Sequence, residues 1–187
     1  MTAVASVMSV SVLRRARAPI LIAASAFASL SAAHLAGLRI NLSRSMPRGF
    51  YRTVSDAPSR GALVEACPPS AAAAIAKARA YLPAGTCPGD VAPLLKGILA
   101  VPGDDVVFTE RGLELNGVSI PQTRPFDADL QGRTLEPHPF GSYHLAPGQY
   151  WLYSSHHPRS WDSRYFGPVD RSLIRTCVKP LWTAEAL

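Results

Sequence analysis

Two serines and one lysine are the residues of this chain whose surroundings best suit covalent chemistry. Ser43 and Ser45 are separated by one residue, and Ser45 precedes Met-Pro shortly after an apolar stretch ends. A serine hydroxyl is a weak nucleophile until a neighbouring base removes its proton. Histidine is the usual base, but the histidines of the C-terminal half lie in no recognisable triad motif. A base of another type is therefore expected.

Lysine can replace histidine when burial keeps its amine neutral near pH 7. The chain has three lysines, and two of them are poor candidates. Lys77 lies in an alanine-rich helical segment, where it would reach solvent, and Lys179 precedes a proline near the chain end. Lys96 alone interrupts a strongly apolar run, where an unpaired charge is costly. The pattern favours Lys96 as a general base, and the alternative is a solvent-facing lysine on an edge strand.

The elements that must position these residues are mostly strands. The chain contains 17 prolines and 13 glycines, which punctuate short apolar runs as they do in β-rich, turn-rich domains. The patterns predict one helix over Ser70–Tyr81 with Ser70 as its N-cap, and a hairpin around Asn116-Gly117. Further strands are predicted over 60–66, 94–101, 106–109 and 171–182, with a second hairpin joining 142–145 to 150–154. The fold class is therefore mainly β with one short helix.

The N-terminal segment has the pattern of a membrane anchor. Three arginines precede about 21 residues without formal charge, a length that fits a single bilayer span. Arginines on that side would keep the N-terminus in the cytoplasm. The predicted organisation is a cytoplasmic segment over 1–17, a transmembrane anchor over 18–38 and an extracytoplasmic domain over 39–187. The alternative is a signal peptide cleaved after Ala28 or Ala33, where small residues cluster.

Charge and composition exclude some classes of partner. The formal net charge is +6, carried mainly by scattered arginines that form no run. This pattern indicates a solvated cationic surface, which would also suit anionic lipid headgroups. Nucleic-acid binding is disfavoured because no basic helix or aromatic-basic ribbon accompanies the charge. No metal site is predicted, since the adjacent His156 and His157 would point in opposite directions and no third ligand is evident.

Three cysteines are compatible with one disulfide in an oxidising compartment. Cys67 and Cys87 each precede a proline and bracket an alanine-rich segment, so they form the best pair. The bond would close a loop of roughly 20 residues and stabilise the domain by roughly 3 kcal/mol in the chain-entropy picture. Cys177 is predicted to be free and buried as a small apolar residue.

Three motifs, in this order, resemble those of the type I signal peptidases. They are Ser45-Met-Pro after the apolar segment, Lys96 before an apolar run ending in Pro-Gly-Asp, and the octapeptide Ser160–Gly167. The pattern Asn-x-Ser-x-Ser-x-Pro-x-Gly-x-Tyr from Asn41 to Tyr51 is more similar still to the TraF-type conjugal-transfer peptidases. Together the motifs cover nearly the whole extracytoplasmic part.

The resemblance implies a serine/lysine mechanism and a signal-peptidase-like β fold behind a transmembrane helix. Ser45 would be the nucleophile and Lys96 the general base. The Ser45 backbone N–H and the Ser43 hydroxyl would form the oxyanion hole, which stabilises negative charge as it develops.

Supporting residues are implied in the third motif. Ser160 would help to orient the Lys96 ammonium, and Asp162 with Arg164 would hold the walls of the site together as an ion pair. The chain departs from the housekeeping enzymes at Gly97, where they usually carry arginine, and in the stretch before Ser160. These departures favour a specialised role.

The function that the resemblance implies is processing of a conjugative pilin precursor, without a cofactor. The enzyme would be anchored in the bacterial inner membrane with its catalytic domain in the periplasm. Its partners would be the pilin-type precursor, the inner membrane and components of the secretion channel. Completion of the reaction by water or by cyclisation of the substrate stays open. The alternatives are a housekeeping signal peptidase and a non-catalytic factor that binds pilin during assembly.

Overall fold

The computed structural model describes residues 4–185 and divides the chain into two compact units, Met1–Arg39 and Ile40–Leu187. The first unit is dominated by helix α1, Val4–Leu35. Within residues 4–185, no helix combines the length and the apolar character that a membrane span requires. The anchor over 18–38 therefore stays a prediction. Every residue implicated in catalysis lies in the second unit.

The second unit is mainly β, as predicted. Its two other helices are α2 (Ser70–Ala78) and the single-turn α3 (Ser163–Phe166), and a 3₁₀ turn covers Arg171–Leu173. The strands of the described residues are β1 (Leu38–Asn41), β2 (Gly49–Val54), β3 (Leu63–Ala66), β4 (Ala84–Cys87), β5 (Leu94–Ala100), β6 (Asp105–Thr109), β7 (Gly112–Leu115), β8 (Val118–Ser119), β9 (Gly141–His144), β10 (Gln149–Tyr153), β11 (Val169–Asp170) and β12 (Ile174–Thr183).

Two sheets organise these strands. The larger sheet has the strand order β1-β2-β12-β3-β5-β10-β11, and the smaller one has the order β8-β7-β6-β9. Strands β5 and β10 contribute to the two larger hydrophobic cores of the unit. Ile98 and Leu152 belong to the core of the larger sheet, whereas Ala100 and Trp151 belong to the core beside the smaller sheet. The register shift between Trp151 and Leu152 lies at the boundary between the two cores.

Strand β5 carries the lysine and is an inner strand. It pairs with β3 on one side and with β10 on the other. Its residues alternate strictly between buried and half-buried, and Leu94, Lys96 and Ile98 all take buried positions. The side chain of Lys96 therefore points inward, as the period of two in a strand requires. The alternative of a solvent-facing lysine on an edge strand is wrong.

The predicted hairpin between residues 142–145 and 150–154 is also wrong. Strand β9 pairs with β6 in the smaller sheet, whereas β10 pairs with β5 and β11 in the larger sheet. The turn at Pro147-Gly148 thus carries the chain from one sheet to the other. The burial pattern explains the outcome, because Tyr150–Tyr153 is buried at every position and suits an inner strand. A turn sequence alone does not specify which strands pair.

Other local predictions have mixed outcomes. The hairpin at Asn116-Gly117 is confirmed: both residues have positive φ and Leu115 faces Val118, as in a two-residue turn. Helix α2 begins at Ser70 but ends at Ala78, and its N-cap is Pro69 without a side-chain cap bond, so the Ser70 cap is wrong. The prediction of a single helix missed α3, because one turn is too short to show a helical period.

The disulfide prediction is confirmed. Cys67 and Cys87 are bonded, while Cys177 is free and buried. Both half-cystines pack in a small cluster with Ala73 and Val91. The bond therefore joins the segment between β3 and α2 to the end of strand β4.

Candidate active site

The two serines lie in the connection between β1 and β2, residues 42–48, which we call the serine loop. The side chain of Asn41, the residue directly before this loop, binds several of its backbone groups. Its Nδ2 donates to the carbonyls of Met46 and Pro47 at 2.9 and 3.0 Å, and to that of Ser43 at 3.3 Å. Asn41 is buried, so these bonds are shielded from competition with water. One amide group thus fixes three peptide units of the loop.

The hydroxyls of Ser43 and Ser45 are 3.1 Å apart. Ser43 also donates its backbone N–H and its hydroxyl to Asn41 Oδ1, at 3.1 and 2.7 Å. Ser45 is half-buried, and within residues 4–185 its backbone N–H donates to no other group. The structure therefore leaves the N–H beside the Ser45 hydroxyl free to bind a ligand.

The far end of the serine loop is held by the remaining residues of the Asn41–Tyr51 pattern. The buried Tyr51 hydroxyl donates to the Pro47 carbonyl at 2.6 Å. Gly49 allows β12 to approach closely, since a Cβ atom there would lie 2.1 Å from the carbonyl oxygen of Trp182. Every specified position of the pattern thus has a contact that shapes the loop. Sequence reasoning used the pattern but missed these roles.

Lys96 is almost completely buried, with 2% of its surface exposed. Burial lowers the pKa of its ammonium to about 8, since removal from water disfavours the charged form. The Asp162 charge raises this pKa and the Arg164 charge lowers it, so the two partly cancel. With a pKa of about 8, roughly one-tenth of the lysine is neutral at pH 7. The residue can therefore accept a proton under ordinary conditions.

The predicted ion pair between Asp162 and Arg164 is present and completely buried. Arg164 Nε donates to Asp162 Oδ1 at 2.8 Å and Nη2 donates to Oδ2 at 3.0 Å. Arg164 Nη2 also donates to the Ser160 carbonyl at 2.9 Å. Such a two-pronged, hydrogen-bonded pair is the form in which buried charges are tolerated. It fixes the third motif around α3.

Ser154, which sequence reasoning missed, connects the three parts of the site. It follows Tyr153, which lies opposite Gly97 in the β10–β5 ladder, so it stands at the end of that ladder beside Lys96. Its hydroxyl donates to the Ser45 carbonyl, in a short hydrogen bond between residues 109 positions apart. Its backbone N–H donates to Asp162 Oδ2 at 3.4 Å. The serine loop, strand β5 and the third motif therefore meet at this residue.

Two predicted contacts are not formed in this structure. Within residues 4–185, no hydrogen bond joins Lys96 Nζ to Ser45 Oγ, and the buried Ser160 hydroxyl has no hydrogen-bond partner. The roles of Lys96 as base, of Ser160 as its orienting residue and of Ser43 as an oxyanion donor stay predictions.

The histidines take structural or surface positions. His138 packs against the rings of Tyr143 and Trp151, and a Cβ atom at Gly167 would lie 2.5 Å from its ring. Burial lowers the pKa of His138, which favours its neutral form. His156 forms an ion pair with Glu185 at 2.7 Å. That histidine does not act as the base stays a prediction.

Comparison with known proteins places the chain in a family. The family model described as signal peptidase, peptidase S26, matches residues 12–182. The chain belongs to this family. A plasmid transfer protein TraF from Escherichia coli is 39% identical over 153 residues, which cover 81% of this chain and 86% of that protein. A probable conjugal transfer protein TraF from Sinorhizobium fredii is 42% identical over 149 residues, covering 77% and 76%. A signal peptidase I from Enterococcus faecalis V583 overlaps 65% of this chain and 97% of its own, with 19% identity and a TM-score of 0.36.

The structure gives a physical reason for the glycine at position 97 in this member of the signal peptidase family. A Cβ atom there would lie 3.3 Å from the Tyr153 carbonyl oxygen, which is closer than most real contacts of this kind. An arginine at this position would therefore require the β10 backbone to move. Ser154, the residue after Tyr153, bonds to the serine loop.

Replacing Lys96 with methionine should raise stability in a pH-dependent way. The unfolded chain keeps this lysine protonated up to its ordinary pKa of about 10.5, whereas the folded chain releases the proton at about 8. The folded state therefore carries the full cost of the buried charge below about pH 8, and this cost disappears as the pH rises towards about 10.5. Thermal unfolding should show the Lys96→Met protein more stable than wild type near pH 7, with a gap that narrows above pH 8.

A matched control is Lys77→Met, because Lys77 is an exposed lysine paired with Asp90. Its stability difference from wild type should not narrow in the same interval. A Lys96→Met difference that is independent of pH would contradict the depressed pKa.

Proposed function

We propose that this chain is a membrane-anchored serine endopeptidase in which Ser45 is the nucleophile and Lys96 the general base. The observation that carries the proposal is the burial of Lys96 on an inner strand, with a pKa of about 8. A lysine with an ordinary pKa would be almost entirely protonated and could not accept the serine proton. Membership of the signal peptidase family supports the same chemistry.

The proposed reaction begins when neutral Lys96 takes the proton of the Ser45 hydroxyl. Ser45 Oγ then bonds to the substrate carbonyl carbon, and the carbonyl electrons move onto oxygen. The Ser45 N–H and the Ser43 hydroxyl stabilise this oxyanion. Collapse of the intermediate breaks the peptide bond, while the Lys96 ammonium protonates the departing amine. The acyl group is then transferred to water or to an amine of the substrate.

The third motif supports the base in this proposal. Lys96 alternates between ammonium and amine during the reaction, and the Ser160 hydroxyl would accept a hydrogen bond from the ammonium form. Its Oγ is buried without a partner among the described residues, so this bonding capacity is available. The Asp162–Arg164 pair would hold the walls of the site together as a buried ion pair.

The catalytic pair is tested by substitution and by a pH profile. Ser45→Ala and Lys96→Ala should each reduce cleavage of a co-expressed pilin precursor below detection, because each removes a group that forms or breaks bonds. The kcat/KM of wild type should rise with pH and level off above about 8, following deprotonation of Lys96. The exposed Lys77→Ala protein is the control and should cleave normally. Near-normal turnover by Lys96→Ala would rule out the mechanism.

We further propose that residues 18–38 form an uncleaved anchor that holds the catalytic unit in the periplasm. The uncharged length of this segment and the arginines before it support this topology. Alkaline phosphatase fused after Leu187 should be active, because it folds only outside the cytoplasm, and the mature protein should retain Arg14. A mature N-terminus directly after Ala28 or Ala33 would show cleavage instead.

The proposed substrate is a conjugative pilin precursor with small residues before the cut. Similarity to proteins named for plasmid and conjugal transfer supports this choice. Gly97 and the stretch before Ser160 also differ from the housekeeping enzymes, and both border the site. A dedicated enzyme rejects other sequences by shape and by unpaired polar groups.

Expression in cells depleted of their own signal peptidase tests the substrate class. We expect no rescue of growth, together with cleavage of a co-expressed conjugative pilin precursor by wild type but not by Ser45→Ala. Rescue of growth would favour the housekeeping role. Binding of the precursor without cleavage by wild type would favour the non-catalytic assembly factor.

A further inference from the structure

The hydrogen bonds of the serine loop determine the direction in which the hydroxyl protons of Ser43 and Ser45 point. Asn41 Nδ2 faces three carbonyl oxygens, which can only accept, so Asn41 Oδ1 must be the atom that faces Ser43. The Ser43 hydroxyl has one proton and lies 2.7 Å from this acceptor, so it donates to Asn41. The 3.1 Å contact between the two serine hydroxyls is then donated by Ser45. In the resting site, a proton chain runs from Ser45 through Ser43 to Asn41.

Side chains also hold four carbonyls of the serine loop. Asn41 binds those of Ser43, Met46 and Pro47, and the Ser154 hydroxyl binds that of Ser45. These bonds come from side chains because this stretch of the loop joins no strand ladder. These four carbonyls accept hydrogen bonds from side chains. The Ser45 N–H, by contrast, has no protein partner in the described residues.

We propose that Asn41 and Ser154 are positioning residues for the oxyanion hole, an inference that rests on the serine peptidase function proposed above. Asn41 Oδ1 holds the Ser43 hydroxyl until the oxyanion forms. The hydroxyl then turns its hydrogen bond from Asn41 to the oxyanion, while Asn41 Oδ1 keeps the Ser43 N–H. Ser154 fixes the Ser45 peptide so that its N–H points to the same oxygen.

The substitution Asn41→Asp distinguishes a positioning role from one that only fills space, because the aspartate side chain differs from asparagine in its hydrogen-bonding groups and charge. It has the same shape and keeps an acceptor for Ser43, but in its ionised form it cannot donate. Its second oxygen would face the carbonyls of Met46 and Pro47 at the 2.9 and 3.0 Å now bridged by hydrogen bonds. Its negative charge would also hold the Ser43 hydroxyl more strongly than the amide does. Both effects oppose formation of the oxyanion hole.

The experiment measures acylation of the full-length chain by the activated ester N-acetyl-alanyl-alanine p-nitrophenyl ester, with Ser45→Ala as the baseline. Asn41→Asp should lower the rate constant of acylation by about 100-fold, the loss typical of one oxyanion donor. KM should stay unchanged, because ester binding is not altered. The loss should persist at pH values above the midpoint, where Lys96 is neutral whatever the new carboxylate adds to its pKa. Ser43→Ala should cause a similar loss. The double variant should lose clearly less than the product of the two single losses, since both act on one hydrogen bond.

Asn116→Asp is the matched control, because Asn116 also donates through Nδ2 and accepts through Oδ1, but in the β7–β8 hairpin. Its acylation rate should stay within about twofold of wild type, as expected for a distant site. If Asn41→Asp does not fold, Ser154→Ala replaces it and should show the same loss in rate with unchanged KM.

The outcomes separate the two proposals. Acylation of wild type no faster than Ser45→Ala would contradict the serine peptidase function itself. Rapid acylation of wild type together with unaffected Asn41→Asp and Ser154→Ala proteins, or single losses that multiply in the double variant, would overturn only the positioning role.

Discussion

The structure depends on the burial of one positive charge in the middle of a sheet. Lys96 occupies an inward position of an inner strand, where burial removes its ammonium from most of the surrounding water. A nearby carboxylate alone would restore an ordinary ion pair and a high pKa. Here the Asp162 carboxylate is already bound at both oxygens by Arg164, and the Arg164 charge opposes its effect on Lys96. Burial therefore remains the largest influence on the pKa, and the amine can act as a base.

The nucleophile must also be held in a fixed position, and the serine loop is rigid although it pairs with no strand. Its peptide groups are held by the Asn41 amide, the Ser154 hydroxyl and the Tyr51 hydroxyl. Each of these donors is anchored in a strand or directly after one, so the loop takes its geometry from the large sheet. The same sheet carries Lys96, which explains how distant parts of the chain can form one site. Catalytic groups gain most when they are preorganised in this way.

Much of the site could be predicted because its signals are local. Lys96 stands out as a charge in an apolar run, and the Asn116-Gly117 turn specifies its own hairpin. The Cys67–Cys87 bond follows from few cysteines and a suitable spacing. By contrast, the strand partners of residues 142–154 depend on which surfaces are buried, and this is decided by the whole fold.

The roles of Asn41 and Ser154 could not be predicted for a related reason. Both act through backbone carbonyls, which are the same in every residue and leave no mark in the sequence. The Ser154 contact also joins residues 109 positions apart. The only available signal was the regular alternation from Asn41 to Tyr51, which marks the positions but not their partners.

The most direct test of the central claim is the titration of Lys96 itself. The chain contains only three lysines, so ε-carbon labelling gives a simple NMR spectrum, and Lys96→Arg identifies the signal. We expect this signal to titrate with a midpoint of about 8, whereas a lysine with the ordinary pKa would titrate near 10.4. A Lys96 signal that titrates together with those of the other two lysines would contradict the proposed base.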